Sequence, residues 1–184
     1  MINILLSGAC GKMGNAVTRC VGEDDELKII AGVDKAEMLC DFPIYKSFDD
    51  VNVIPDVIID FSHISVLDSL LSFAIKNNVP TVLATTGYTA EQLEKINAAS
   101  AKIPVFFTAN MSLGVNLLCS IEKSAAKVLG SNFDVEIIEK HHNQKKDAPS
   151  GTAIMLADAV KEGLDYEPEY VYDRSTVRQP RDKK

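Results

Sequence analysis

The sequence predicts an α/β chain built on a doubly wound parallel sheet, and three observations carry that expectation. Short apolar runs alternate with amphipathic stretches along most of the 184 residues, which is the pattern of parallel strands joined by crossover helices. A glycine-rich turn follows the first run directly. Several later runs end in polar turns at the edge where such sheets gather their ligands.

The predicted strands are 2–7, 27–33, 56–61, 80–85, 104–109 and 133–139. Between them the apolar spacing predicts helices over 12–22, 64–77, 89–101 and 113–129, with another opening near Ser150. Thr89 followed by Gln92 has the form of a capping box, which fixes the start of the third helix. From about residue 165 the apolar rhythm gives way to polar sequence ending in Arg181-Asp182-Lys183-Lys184. Hydrophobic residues make up 46% and charged residues 24%, enough apolar material for a core without staples. No apolar run approaches the roughly 18 residues of a membrane span, and the apolar start lacks a basic leader, so a cytoplasmic protein is expected. Cys10, Cys20, Cys40 and Cys119 are scattered, without Cys-x-x-Cys pairs or histidines at ligand spacing, which argues against a zinc site and a disulfide framework. No metal is called for. A formal charge of −7 disfavours nonspecific nucleic-acid binding, so any anion must be held locally.

The first strand runs into Gly8-Ala9-Cys10-Gly11-Lys12-Met13-Gly14, a variant of the dinucleotide fingerprint. Missing side chains let the backbone approach a pyrophosphate there, and the helix start offers amide hydrogens. Asp34, twenty positions past Gly14, ends the second strand where a carboxylate can accept from ribose hydroxyls. Lys35 follows and can meet the 2'-phosphate of NADP, so NADH and NADPH are both candidate cofactors of a Rossmann-type sheet. The turns Asp60-Phe61-Ser62, Thr85-Thr86-Gly87 and Ala109-Asn110-Met111-Ser112 would line the same crevice.

The densest chemistry lies in Glu139-Lys140-His141-His142-Asn143-Gln144-Lys145-Lys146-Asp147-Ala148-Pro149-Ser150-Gly151-Thr152-Ala153. Two of the three histidines stand beside lysines and a Ser-Gly-Thr helix start. Ser150 is a natural cap, the first amides can seat a carboxylate, and Lys145 and the imidazoles add charge and directed donors. That combination suits a small dianionic acid.

These segments resemble the dihydrodipicolinate reductase family. Gly8 to Gly14 matches its G-x-x-G-x-M-G turn and Glu139 to Ala153 its E-x-H-H-x-x-K-x-D-A-P-S-G-T-A signature. Asp60-Phe61-Ser62, Thr85-Thr86-Gly87 and Asn110 to Asn116 fall in the family's order. The resemblance implies NADH- or NADPH-dependent reduction of 4-hydroxy-tetrahydrodipicolinate in the lysine pathway. It implies a dinucleotide-binding domain over 1–112 and a substrate-binding and oligomerisation domain with a mixed open sheet over 113–184, assembled as a homotetramer. Family members continue for several tens of residues past the position of Lys184, so the second domain is expected to be incomplete in this chain, with open sheet edges.

By resemblance His141 is the proton donor and Lys145 its partner in activating the substrate, while His142, Lys145, Ser150, Gly151 and Thr152 hold the substrate carboxylates. Gly8, Ala9, Gly11, Lys12, Met13, Gly14, Asp34, Lys35, Phe61, Ser62, Thr85, Thr86, Gly87, Ala109, Asn110 and Met111 fall at cofactor positions. A dehydrogenase acting on aspartate or its semialdehyde shares the nucleotide fold but lacks the His141 to Thr152 signature. A cofactor-binding, catalytically silent chain is the other alternative, marked by dinucleotide binding without turnover.

Overall fold

The computed structural model describes residues 1–108, 110–145 and 148–180. The chain divides into two units, Met1–Ala109 and Asn110–Lys184.

In the first unit six parallel strands lie in the order β3-β2-β1-β4-β5-β6. They are β1 (Ile2–Ser7), β2 (Leu27–Val33), β3 (Ile44–Tyr45), β4 (Val57–Asp60), β5 (Thr81–Leu83) and β6 (Val105–Phe107). Central β1 pairs with β2 on one side and β4 on the other. The chain therefore winds outward one way, returns, and winds outward the other way, leaving a switch point beyond the carboxyl ends of β1 and β4. Helices α1 (Lys12–Gly22), α2 (Leu67–Asn77) and α3 (Ala90–Ser100) make the crossovers.

Alternation along the strands sorts the core into two faces. Leu5, Ala31, Val33, Ile58 and Leu83 turn to one side, where Leu67, Leu70, Leu71, Ala74 of α2 and Ile96 and Ala99 of α3 cover them. Ile4, Leu6 and Ile29 turn to the other, against Val21 and Val17 of α1. Because β1 is buried on both faces, its last four residues read as a continuous buried run.

The sequence expectation and the structure agree on most elements. α1 spans the predicted residues, and α3 begins behind Thr89, whose hydroxyl accepts from the Gln92 amide while the Gln92 side chain returns to the Thr89 amide. α2 starts at Leu67 and not at residue 64, because Ile64–Val66 form a 3-10 turn capped by His63 Nδ1. The two-residue β3 carries no strand pattern and was not predicted. β1 and β2 have the predicted bounds, whereas β4, β5 and β6 are shorter at both ends than the predicted 56–61, 80–85 and 104–109, because an apolar run continues into turns where ladder pairing has stopped.

The second unit contains α4 (Leu113–Leu129), capped by Ser112, and α5 (Gly151–Gly163), capped by Ser150. The predicted strand 133–139 does not form, nor does a mixed open sheet among the described residues. Phe133, Val135, Ile137 and Ile138 are all exposed; alternating apolar residues make a strand only beside another strand, and these have none among the described residues. No described helix is long and apolar enough to cross a membrane.

α4 and α5 instead pack on each other at close range. A Cβ on Gly163 would stand 2.3 Å from the Lys123 carbonyl oxygen and 3.0 Å from Ala126 Cβ, and Lys123 pairs with Glu162 at 2.7 Å beside this contact. Gly163→Ala is therefore expected to force the helices apart and cost about 1–3 kcal/mol. Chemical denaturation checks this; an unchanged midpoint would show that the approach is not needed.

Candidate functional site

The glycine turn is shaped by what its glycines exclude. Gly8 has φ +77°, and a Cβ there would meet the Phe61 carbonyl oxygen at 2.5 Å. At Gly14 a Cβ would lie 2.3 Å from the Gly8 carbonyl oxygen and 2.4 Å from that of Ala9. All three distances are below any real contact, so the start of α1 lies against the end of β1 only because these positions lack side chains. Gly11 is the N-cap of α1 and makes no side-chain cap, and no acidic residue stands in the first turn. Lys12 and Met13 are exposed there, while Ala9 is buried beneath the turn.

Asp34 reaches this turn from the end of β2. Its Oδ2 accepts from the Cys10 amide at 2.9 Å and its Oδ1 from the Ala36 amide at 2.9 Å. Each oxygen keeps a second lone pair. Lys35 is exposed, and its carbonyl accepts from Lys46 Nζ at 3.1 Å, with Lys46 also paired to Glu37 at 2.9 Å. Lys46 is thus a second cation on this loop that sequence spacing does not reveal.

The turns after β4 and β5 are joined by Asp60, a carboxylate only 1% exposed. Ser62 donates to its Oδ1 at 2.5 Å and Thr85 to its Oδ2 at 2.7 Å, with a longer contact from the Tyr88 hydroxyl at 3.4 Å. Phe61 continues the ladder by donating its amide to the Ser7 carbonyl. Thr86 and Gly87 project beyond the network, exposed, with Gly87 at φ +84°.

In the second unit the signature segment folds back on the start of α5. Ser150 is buried and its hydroxyl accepts from the Ala153 amide at 3.1 Å. Helical bonding opens with Ile154 donating to the Ser150 carbonyl, so the amides of Gly151 and Thr152 precede the first helical bond. The Ser150 amide donates to Glu139 Oε1 at 2.9 Å, and Glu139 Oε2 lies 3.6 Å from His141 Nδ1. The Ser150 hydroxyl and then its amide hold the Glu139 carboxyl below the usual range, with smaller help from the charges of His141 and Lys145; the hydroxyl, an acceptor toward Ala153, has its own proton to offer. His142 Nδ1 accepts from the Gln144 amide at 3.1 Å, which assigns the proton of its neutral ring to Nε2. The Lys145 amide closes the same turn on the His142 carbonyl.

Asn110 joins this group, donating to Thr152 Oγ1 at 3.1 Å and accepting from the Ser112 amide at 2.8 Å. Met111 beside it is exposed. Ala109 lies outside the described residues.

The models of dihydrodipicolinate reductase, N-terminus, and dihydrodipicolinate reductase, C-terminus, match residues 2–111 and 114–183. The chain belongs to the dihydrodipicolinate reductase family. It is 48% identical over 181 residues to a 4-hydroxy-tetrahydrodipicolinate reductase of Caldanaerobacter subterraneus subsp. tengcongensis, covering 98% of this chain and 72% of the relative. To the enzyme of the same name from Clostridium botulinum it is 45% identical over 175 residues, covering 95% and 69%. Among solved structures it is similar to dipicolinate-bound dihydrodipicolinate reductase from Paenisporosarcina sp. TG-14, with TM-score 0.68 and 26% identity over 96% of this chain and 72% of that one.

Within this dihydrodipicolinate reductase family chain, the residues that sequence reasoning left out of the site are Asp60, Tyr88, Lys46 and Glu139. Asp60 and Glu139 stood in quoted motifs, and only folding shows what they bind. Tyr88 is two positions beyond Thr86, but its partner lies 28 residues earlier. Burial, and then the Asp60 carboxylate, push the Tyr88 phenol well above its usual value. The folded state therefore holds this proton more tightly than the unfolded chain, whose phenol ionises near about 10. That contribution is whole below the unfolded value and is lost as the pH climbs toward the folded one. Stability of the native chain should fall more steeply from about pH 9 to about pH 11 than that of Tyr88→Phe. Denaturation midpoints across that range measure it, and parallel curves would contradict the assignment.

Proposed function

We propose that this chain reduces 4-hydroxy-tetrahydrodipicolinate, by way of dihydrodipicolinate, to tetrahydrodipicolinate with NADH or NADPH, a step on the diaminopimelate route to lysine. The observation that carries the reading is the clustering of Glu139, His141, His142, Lys145 and the start of α5 in a chain of this family. The dipicolinate named in the solved relative is a dianionic analogue of the substrate.

Loss of water from the substrate leaves a carbon conjugated with a ring imine. That carbon takes up a hydride, and the electron-rich product takes up a proton. A reduced nicotinamide dinucleotide would supply the hydride. The residues fit such a cofactor: an uncapped α1 start with no acidic residue in its first turn accepts a pyrophosphate, and Asp34 keeps lone pairs for ribose hydroxyls. Phe61, Ser62, Thr85, Thr86, Gly87 and the Asn110-Met111 turn belong to the same reading as cofactor contacts, as does Ala109.

His141 holds the proton for the second step, since an imidazole is a common general acid. Lys145 binds and activates the substrate, while His142 through Nε2, Ser150 and the Gly151 and Thr152 amides hold its carboxylates. The wider reading is a cytoplasmic homotetramer with a dinucleotide-binding domain over 1–112 and a substrate-binding and oligomerisation domain over 113–184.

His141→Gln is expected to lower turnover by about 10²–10⁴-fold with nearly unchanged affinity for reduced cofactor. Steady-state kinetics beside fluorescence titration decide this; near-normal turnover would remove His141 from the reaction. In the same titrations NADH and NADPH should both bind, because Asp34 serves the ribose and Lys35 the 2'-phosphate. A preference for either above about a hundredfold, roughly 2.7 kcal/mol, would refute dual use.

A further inference from the structure

We propose that Glu139 is a positioning residue that fixes the tautomer of His141, keeping Nδ1 protonated toward its own Oε2 so that Nε2 is the atom that gains and gives up the transferred proton. This rests on the proton-donor reading of His141.

The two oxygens of Glu139 are used unequally. Oε1 accepts the Ser150 amide at 2.9 Å, which ties the carboxylate to the N-cap of α5. Oε2 is shut off from water and has no hydrogen-bond partner, yet stands 3.6 Å from His141 Nδ1. A carboxylate oxygen shut off from water without a donor is costly; the Ser150 hydroxyl also acts on this carboxylate, and the His141 ring nitrogen, 3.6 Å away, is a donor placed to satisfy Oε2. A small ring rotation that brings Nδ1–H onto Oε2 completes the carboxylate. The other charge acting on Glu139 is Lys145, which also favours the carboxylate over the acid.

The direction of the proton follows from this. With Nδ1–H committed to a carboxylate, only Nε2 is left to exchange a proton with the reacting ring. His142 is set the other way, with Nδ1 as acceptor from the Gln144 amide. Adjacent histidines are thus fixed in opposite tautomers by two different partners, and His142 presents an N–H where His141 presents an exchanging nitrogen. The same carboxylate links proton transfer to carboxylate binding, because Glu139 Oε1 holds the residue whose hydroxyl caps α5.

Nitrogen-15 spectra of the histidine rings test the proposal without relying on turnover. In the native chain at a pH where the ring is neutral, His141 should be the Nδ1–H tautomer; a neutral Nε2–H ring there overturns the proposal at once. Glu139→Gln keeps an oxygen for the Ser150 amide and puts an NH2 donor toward Nδ1, so His141 should switch to Nε2–H. Turnover should then fall about tenfold to a thousandfold, with the KM for reduced cofactor unchanged. An unswitched tautomer, or a switched one with turnover within about twofold of native, removes Glu139 from this role. Failure of the proton-donor reading would show separately, as normal turnover in His141→Gln while His141 of the native chain is the Nδ1–H tautomer.

Discussion

The close approach of α1 to the end of β1 is the constraint on which the rest of the first unit depends. A single methyl group at position 14 would stand 2.3 Å from the Gly8 carbonyl oxygen, and no rotamer relieves a Cβ clash with backbone. Because both positions are glycine, the turn closes and brings the Cys10 amide onto Asp34. Gly8 can then lie against Phe61, at the end of β4. The ends of β1, β2 and β4 thereby become one surface at the point where the strand order reverses, and the uncapped start of α1 stands beside it. An anion there meets amide dipoles at a helix start that has no side-chain cap and no acidic residue in its first turn.

Two carboxylates, Asp60 buried and Glu139 partly exposed, show how similar chemistry serves different ends. Asp60 has donors on both oxygens, from Ser62, Thr85 and Tyr88. A carboxylate so satisfied holds two turns in place and has little to offer a ligand. Glu139 accepts the Ser150 amide on one oxygen, while the other faces an imidazole without yet bonding it. The incomplete network is the one beside His141.

Local rules were enough to read much of this from the sequence. The glycine turn, the capping box at Thr89 and the Ser150 cap each involve residues within a few positions of one another, and each is found where its residues predicted it. β1 and β2 are long apolar runs in the middle of the sheet and read clearly. β3 is two residues paired to β2, too short to leave a pattern. The stretch 133–139 alternates as a strand should, but alternation says which faces differ and does not supply a neighbour. The Asp60 network could not be read, since its donors lie up to 28 positions away in sequence. Glu139 could be seen as part of a motif; its partnership with Ser150, eleven positions on, is made only by the return of the chain.

Hydride transfer itself can be followed by isotope. When reduced cofactor dideuterated at the nicotinamide C4 is supplied with 4-hydroxy-tetrahydrodipicolinate, mass spectrometry should find one deuterium on each tetrahydrodipicolinate formed, matched by one cofactor oxidised. Product that carries no deuterium from the cofactor, or cofactor that binds and is never oxidised, would contradict the reductase assignment.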